Sequence, residues 1–299
     1  MNKVIVVVGP TAVGKTKISI ELAKYYNCDV ISGDSVAVYK RLDIGSAKPT
    51  EAEMQGIKHH LIDILEPTDG YSVADFQKNA RAIMDNNKLS LICGGTGLYV
   101  QGALFNYEFK AQKRDFDFGK KYEHLSNEEL YKLLLKIDPN IDTNKLHHNN
   151  RKRVLRALEV KNELDESIHS FNKNKEALYD YYIVYLSMPR EKLYDRINKR
   201  VDIMIKDGLL EEVKSLFDDG IYPHAIGYQE LVPYFNNQVS LDSAIEEIKK
   251  NTRHLAKRQE TWFKNQMNSH FYEVNVDDIE ATINQIKNDI NRWLKWEFI

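Results

Sequence analysis

The sequence predicts an α/β fold, a parallel sheet flanked by helices with a small all-helical domain inserted. Three observations carry this reading. Val4-Ile5-Val6-Val7-Val8 is an unbroken β-branched run, the pattern of a strand buried on both faces. A glycine-rich stretch follows it, and then a segment with Ile18, Leu22 and Tyr25 at helical spacing, so strand, turn and helix succeed one another. Between about residues 106 and 175 charge rises, glycine almost vanishes after Gly119 and the apolar periods become helical, before strands resume.

The turn is Gly9-Pro10-Thr11-Ala12-Val13-Gly14-Lys15-Thr16, which fits the P-loop pattern G-x-x-x-x-G-K-[ST]. Glycines let the backbone wrap an anion, and the amides at the helix start point at phosphate oxygens. Lys15 neutralises charge on the terminal phosphate, and the Thr16 hydroxyl is a ligand for Mg²⁺. The fold class is therefore P-loop NTPase-like, with residues 1–105 and 176–299 as the α/β core and 106–175 as the helical insertion.

The bulk properties exclude several classes. The chain has 299 residues, 42% of them hydrophobic, and a formal net charge of -2. Mean hydropathy is -0.51. No global basicity announces nucleic acid, so any such surface must be local. No apolar run approaches the length of a membrane span, and the N-terminus enters a strand with no charged-then-apolar leader. Cys28 and Cys93 read as two thiols in a reducing compartment. A cytoplasmic monomer is expected.

Along the chain, Asp29 to Ser32 is a short strand ending at Gly33-Asp34-Ser35. Ligands of open α/β sheets sit beyond the carboxyl ends of the strands, which puts Asp34 at the P-loop mouth. It is either a turn residue or a general base or magnesium partner. Residues 38 to 50 read as loop, with Lys40, Arg41 and Lys48 facing phosphate or solvent. His59 to Ile64 reads as a third strand or its lead-in, its adjacent histidines on opposite faces of a strand and so no metal pair. Ser72 with Asp75 forms a capping box for a helix that turns Phe76, Ala80 and Ile83 inward. Leu89 to Cys93 is a strand ending in Gly94-Gly95-Thr96-Gly97, where Thr96 is either a helix cap or a hydroxyl facing substrate. An ATPase usually carries an acidic residue at such a strand end, and none stands here.

In the insertion, Ser126 and Glu129 form a second capping box, and Arg151, Lys152, Arg153 and Arg156 open a later helix. These cations are either a solvated face or a grip on a nucleic-acid backbone. Tyr181 to Leu186 returns the chain to the sheet. The next helix turns Leu193, Ile197, Val201 and Met204 inward, while Arg196 and Arg200 share another face suited to the oxygens of a leaving pyrophosphate. A further helix spans Gly208 to Asp219. A long helix over Leu241 to Asn265 is expected to bury Ile245, Ile248, Thr252, Leu255, Gln259 and Trp262. Lys250, Arg253, His254, Lys257 and Lys264 form a basic stripe along it, a second candidate RNA surface. A strand over Phe271 to Val276 and a helix close the chain.

At this point the sequence resembles the tRNA dimethylallyltransferases, also called tRNA isopentenyltransferases. The residues carrying the resemblance are Gly9 to Thr16, Asp34-Ser35-Val36-Ala37-Val38-Tyr39, Asp43-Ile44-Gly45-Ser46-Ala47-Lys48-Pro49, His60-Leu61-Ile62-Asp63, Tyr71 to Phe76, Gly94 to Tyr99, Arg153 to Val160 and Leu255-Ala256-Lys257-Arg258-Gln259. They run from residue 9 to about residue 263. The resemblance implies transfer of a dimethylallyl group from dimethylallyl diphosphate, with Mg²⁺, to N6 of adenosine 37 in the tRNA anticodon stem-loop. It makes Asp34 the general base, Thr96 a hydroxyl at the channel entrance and Arg200 a diphosphate ligand beside Gly9, Pro10, Thr11, Ala12, Val13, Gly14, Lys15 and Thr16. It places Asp34, Ser35, Val36, Ala37 and Thr96 against tRNA, alongside Arg151, Lys152, Arg153, Arg156, Lys250, Arg253 and Lys257 on the basic faces. Gln229 stands where relatives are expected to carry Arg, and 111–121 does not match a proline-containing, Arg-bearing pattern expected there. Two rivals share the P-loop: a small-molecule kinase using ATP, and an RNA-binding NTPase in which the loop is a switch.

Overall fold

The computed structural model describes residues 1–107, 117–168 and 176–295. The central strand β1 spans Lys3–Val8, and Val4 to Val8 are each 0% exposed, as the unbroken β-branched run requires. The chain continues through α1 (Lys15–Tyr26), β2 (Val30–Ser32), α2 (Glu51–Met54), β3 (His59–His60), α3 (Val73–Asp85), β4 (Leu89–Gly94) and α4 (Gly97–Leu104). After a 3-10 turn at Phe118–Tyr122 come α5 (Asn127–Ile137) and α6 (Arg151–Leu164). The chain ends with β5 (Asp180–Ser187), α7 (Arg190–Lys206), α8 (Leu209–Asp218), α9 (Val232–Phe235), α10 (Leu241–Gln266), β6 (His270–Glu273) and α11 (Ile279–Leu294).

The six strands form one sheet in the order β3-β2-β4-β1-β5-β6, every pairing parallel. The α/β class with a P-loop-type parallel sheet is therefore observed. β1 runs in register with both neighbours, Val8 lying opposite Gly94 of β4 and Tyr185 of β5. All strand carboxyl ends thus meet at one edge, where the turns after β1, β2 and β4 lie side by side. A core of Ile5, Val7, Ile18, Leu22, Val184, Leu186, Ile286 and Ile290 fastens α1 and α11 to the sheet. A second core gathers Leu42, Val201, Leu209, Val213, Tyr228 and Ile248.

The chain divides into two compact units, Met1–Leu104 with Leu178–Ile299, and Phe105–Ala177. In the smaller unit both Ser126 capping-box bonds are present. Its own core is Phe118, Leu130, Leu134, Ile141, Leu146, Val154, Ala157 and Leu158. Phe105 and Ala177 form an antiparallel bridge at its base, and Leu178 donates to the Leu104 carbonyl in the larger unit at 2.9 Å.

Three element readings change. The strand or lead-in read over 59–64 is a strand only as far as His60, because Leu61 and Asp63 adopt left-handed backbone (φ 62° and 55°) that no strand continues through. The last strand is His270–Glu273. The buried stripe of α10 is Ala244, Ile248, Ala256 and Phe263 rather than the row through Ile245, Leu255 and Trp262. Cys28 and Cys93 are free and partly buried. Among the described residues, no helix is long and apolar enough to cross a membrane.

Candidate active site

The P-loop forms because its backbone goes where glycine alone goes cheaply. Gly9 (φ 150°) passes so close to β5 that a Cβ would lie 2.5 Å from the Leu186 carbonyl oxygen, and Gly14 (φ 107°) turns the chain into α1. No side chain caps α1, so its first amides are left for an anion. Lys15 folds back over the loop, its Nζ donating to the Gly9 and Pro10 carbonyls at 3.1 and 2.9 Å. Burial pulls its pKa from 10.5 down to about 8, opposed by the negative charge available at Cys93 and Asp34 and assisted by Arg200.

Asp34 sits immediately beyond β2. Its Oδ1 accepts from the Val36 amide at 2.8 Å and the Ala37 amide at 3.4 Å, the turn geometry that short acidic side chains favour. That bond orients the carboxylate and leaves Oδ2 without a hydrogen-bond partner among the described residues. The turn reading of Asp34 is what these bonds show. Thr96, in the turn after β4, donates from its backbone to the Gly33 carbonyl at 3.3 Å, and its hydroxyl donates to Ser35 Oγ at 3.4 Å. A Cβ on Gly94 would fall 2.3 Å from Gly33, so the two turns touch backbone to backbone. The sheet edge therefore brings Asp34, Ser35 and Thr96 together next to Lys15.

Arg200 is half-buried on α7. Burial lowers its pKa, while the charges of Glu53 and Asp34 favour its cationic form and Arg196 opposes it. Arg196 touches the P-loop directly, its Nε donating to the Ala12 carbonyl at 2.9 Å.

The basic faces divide. Arg151 spends its guanidinium inside the insertion, on the carbonyls of Leu125 (2.8 Å) and Tyr122 (2.6 Å) and on Asn127 Oδ1 (3.2 Å). A cation tied to three local acceptors braces the 3-10 turn and α5. Arg156 pairs at 2.7 Å with Glu159, which is buried. Lys152 and Arg153 are exposed. On α10, Lys250 pairs with Glu247 at 3.0 Å and Arg253 donates to Asn198 Oδ1 at 2.7 Å. Lys257 is exposed and lines a cavity of about 340 Å³ with Met188, Arg190, Tyr194 and Glu260. The 111–121 pattern lies for the most part outside the described residues.

Two participants escaped the sequence reading. Glu212 on α8 accepts from the amides of Asp43 (3.1 Å), Ile44 (2.8 Å) and Gly45 (3.1 Å) and from the Tyr228 hydroxyl (2.7 Å), which pins the loop after β2. Gln259, expected in the core, bridges two of the glycine turns instead: it accepts from the Thr11 amide at 2.9 Å and donates to the Gly95 carbonyl at 3.1 Å. The one signal for it was its place at the end of the Leu255-to-Gln259 motif.

Comparison with known proteins decides the family. The family model described as IPP transferase matches residues 37–266. A tRNA dimethylallyltransferase of Macrococcus caseolyticus is 45% identical over 306 residues, covering 98% of each chain. The chain belongs to the IPP transferase family. The crystal structure of a tRNA delta(2)-isopentenylpyrophosphate transferase from Staphylococcus epidermidis superimposes with a TM-score of 0.72 at 42% identity, over 98% of this chain and 99% of that one. A eukaryotic dimethylallyltransferase acting on tRNA superimposes with a TM-score of 0.80 at 28% identity, over 97% of this IPP transferase and 79% of that chain. Gln229, where an Arg was expected, donates from its side chain to Glu230 at 3.0 Å.

Proposed function

We propose that this IPP transferase moves a dimethylallyl group from dimethylallyl diphosphate to N6 of adenosine 37 in the tRNA anticodon loop, in the cytoplasm and as a single chain. The observation that carries the reading is the meeting of a phosphate cradle, two cations and an oriented carboxylate at one sheet edge. The names of its relatives favour the transferase over the kinase alternative.

The chemistry follows from the groups present. The N6 lone pair of adenine is delocalised into the ring, so N6 attacks poorly unless its proton is drawn away. Asp34 Oδ2 accepts that proton as N6 bonds to the allylic C1, a general-base gain of roughly 10²–10⁴-fold. The C1–O bond breaks with its electron pair leaving on the diphosphate. Lys15 and Arg200 stabilise that charge, Lys15 turning toward the diphosphate the amine it otherwise holds on the Gly9 and Pro10 carbonyls. Thr16 fits a hard cation: its hydroxyl is an oxygen donor at the P-loop, and among the described residues it has no hydrogen-bond partner. Bound there, Mg²⁺ supplies charge neutralisation on the diphosphate oxygens. Among the described residues no cluster of three His, Cys, Asp or Glu side chains competes for the ion. The target base must leave its stack, at a cost of a few kcal/mol. Contacts from Ser35 to Ala37, Thr96, Lys152, Arg153 and the exposed cations of α10 offset part of it.

The test is transfer of labelled dimethylallyl diphosphate to total tRNA with Mg²⁺ and without ATP. Label in tRNA that disappears in Asp34→Ala supports the reading. No label, with ATP consumed on a small acceptor, overturns it.

A further inference from the structure

Gln259 performs a task that burial does not explain. It lies on α10 between Ala256 and Phe263 of the buried stripe, half-buried itself, and each end of its amide is used. Oε1 accepts from the Thr11 amide at 2.9 Å, and Nε2 donates to the Gly95 carbonyl at 3.1 Å. The partners belong to different turns, one after β1 and one after β4, which are neighbouring strands. Glutamine offers a neutral acceptor and a neutral donor at one tip at every pH, which a glutamate of the same length does only when protonated.

The surroundings fit a clamp. A Cβ on Gly95 would lie 2.2 Å from Gln259 Nε2, so the turn is pressed against the amide. One helical turn further along α10, the Trp262 ring packs so closely on Gly97 that a Cβ there would sit 2.1 Å away. Thr96 is therefore held between two side chains of a single helix. On the P-loop's other flank, Arg196 fixes the Ala12 carbonyl. The Thr11 amide is also committed to the protein and withdrawn from those offered to an anion.

We propose that Gln259 is a positioning residue which sets the distance between the diphosphate cradle and the turn that carries Thr96. The proposal rests on the transferase reading, in which the leaving group lies on the cradle and the attacking nitrogen beside Asp34, in the turn that Thr96 holds through Gly33 and Ser35. Group transfer between them tolerates little displacement, since a misplacement of ~1 Å costs about 10²-fold in rate.

The experiment uses the full chain with Gln259→Leu, which keeps the bulk and removes both bonds, and Gln259→Glu. In Gln259→Leu the P-loop peptide containing Thr11 exchanges its amide hydrogen about tenfold faster, and kcat for transfer falls about 30- to 100-fold with each KM within about threefold. In Gln259→Glu the protonated acid reproduces donor and acceptor, so kcat relative to wild type climbs as pH falls from 8 to 6. Unchanged exchange, faster exchange with unchanged kcat, or a kcat loss matched by an equal KM rise overturns the proposal. Should Gln259→Leu fail to fold by circular dichroism, the Gln259→Glu ratio decides, and a ratio flat in pH overturns it. Failure of wild type to label tRNA sinks the reaction reading instead, and the exchange measurement then still judges the clamp.

Discussion

The buried amine of Lys15 ties ligand affinity to pH in a calculable way. With its pKa drawn down to about 8 by burial, the amine is about half neutral at pH 8 in the ligand-free chain. An arriving diphosphate sets negative charge against it and raises the pKa again. Binding above pH 8 therefore takes up a proton. Apparent affinity falls by the ratio of total to charged amine, roughly twofold at pH 8 and about elevenfold at pH 9. The assay is calorimetric titration with inorganic diphosphate at pH 7, 8 and 9, in buffer pairs of different ionisation heat. Diphosphate itself titrates in this range, so each value is divided by that of Lys15→Arg, whose guanidinium stays charged throughout. A ratio that stays level from pH 7 to 9, or a proton released on binding, would refute the reasoning. Stability moves with the same group. Its folded pKa lies below the 10.5 of an ordinary lysine, so between about pH 8 and 10.5 the unfolded chain binds more protons and this contribution to stability rises with pH. Below pH 8, carrying the buried charge costs the folded chain up to about 3 kcal/mol, reduced by solvent screening at a partly exposed site. Lys15→Met therefore loses the pH 8 to 10.5 rise that wild type shows in urea unfolding.

Further tests separate the roles of neighbouring residues. Asp34→Asn keeps the turn and lowers kcat by about 10²–10⁴-fold, with tRNA affinity within about threefold; equal losses in binding and rate would remove it as the base. Lys152→Ala lowers the slope of log affinity against log salt by about one, measured by filter binding, whereas Arg151→Ala leaves the slope alone and lowers the unfolding midpoint of the insertion. Glu212→Ala strands amides at Asp43, Ile44 and Gly45 and lowers stability by about 2–4 kcal/mol in urea; a change under about 0.5 kcal/mol would show that the loop does not depend on it.

What the sequence reveals tracks how local each interaction is. The β1, P-loop and α1 run is legible because its glycines and β-branched residues act within a dozen positions. The capping boxes at Ser72 and Ser126 form as written, with partners three residues apart. The sheet edge as the meeting place of the β2 and β4 turns follows from the rule for parallel sheets. The bond from Thr96 to Ser35 does not, because it depends on β2 pairing with β4 across about sixty residues. The bonds of Arg151 are hidden for the same reason: a cation run looks alike whether it faces solvent or three acceptors folded back from 24 to 29 residues away. On α10 an apolar period cannot distinguish a glutamine that packs from one that clamps. The expected and observed faces share Ile248 and differ elsewhere by single positions that the period does not resolve.

The order of the strands also bears on how the chain is made. β1 lies between β4 and β5, and β5 follows the whole insertion. On a ribosome, β1 to β4 emerge with one side of β1 still unpaired, and at ~5–20 residues per second the roughly 80 intervening residues take about 4 to 16 s. During that interval the most apolar strand of the protein is an open edge, a template for pairing with a neighbouring nascent chain. The insertion can bury its own leucines while the edge waits, since among the described residues its core draws only on positions within 105–177. A chain halted at about residue 177 is then the aggregation-prone species, and release of β5 ends the exposure in one pairing step.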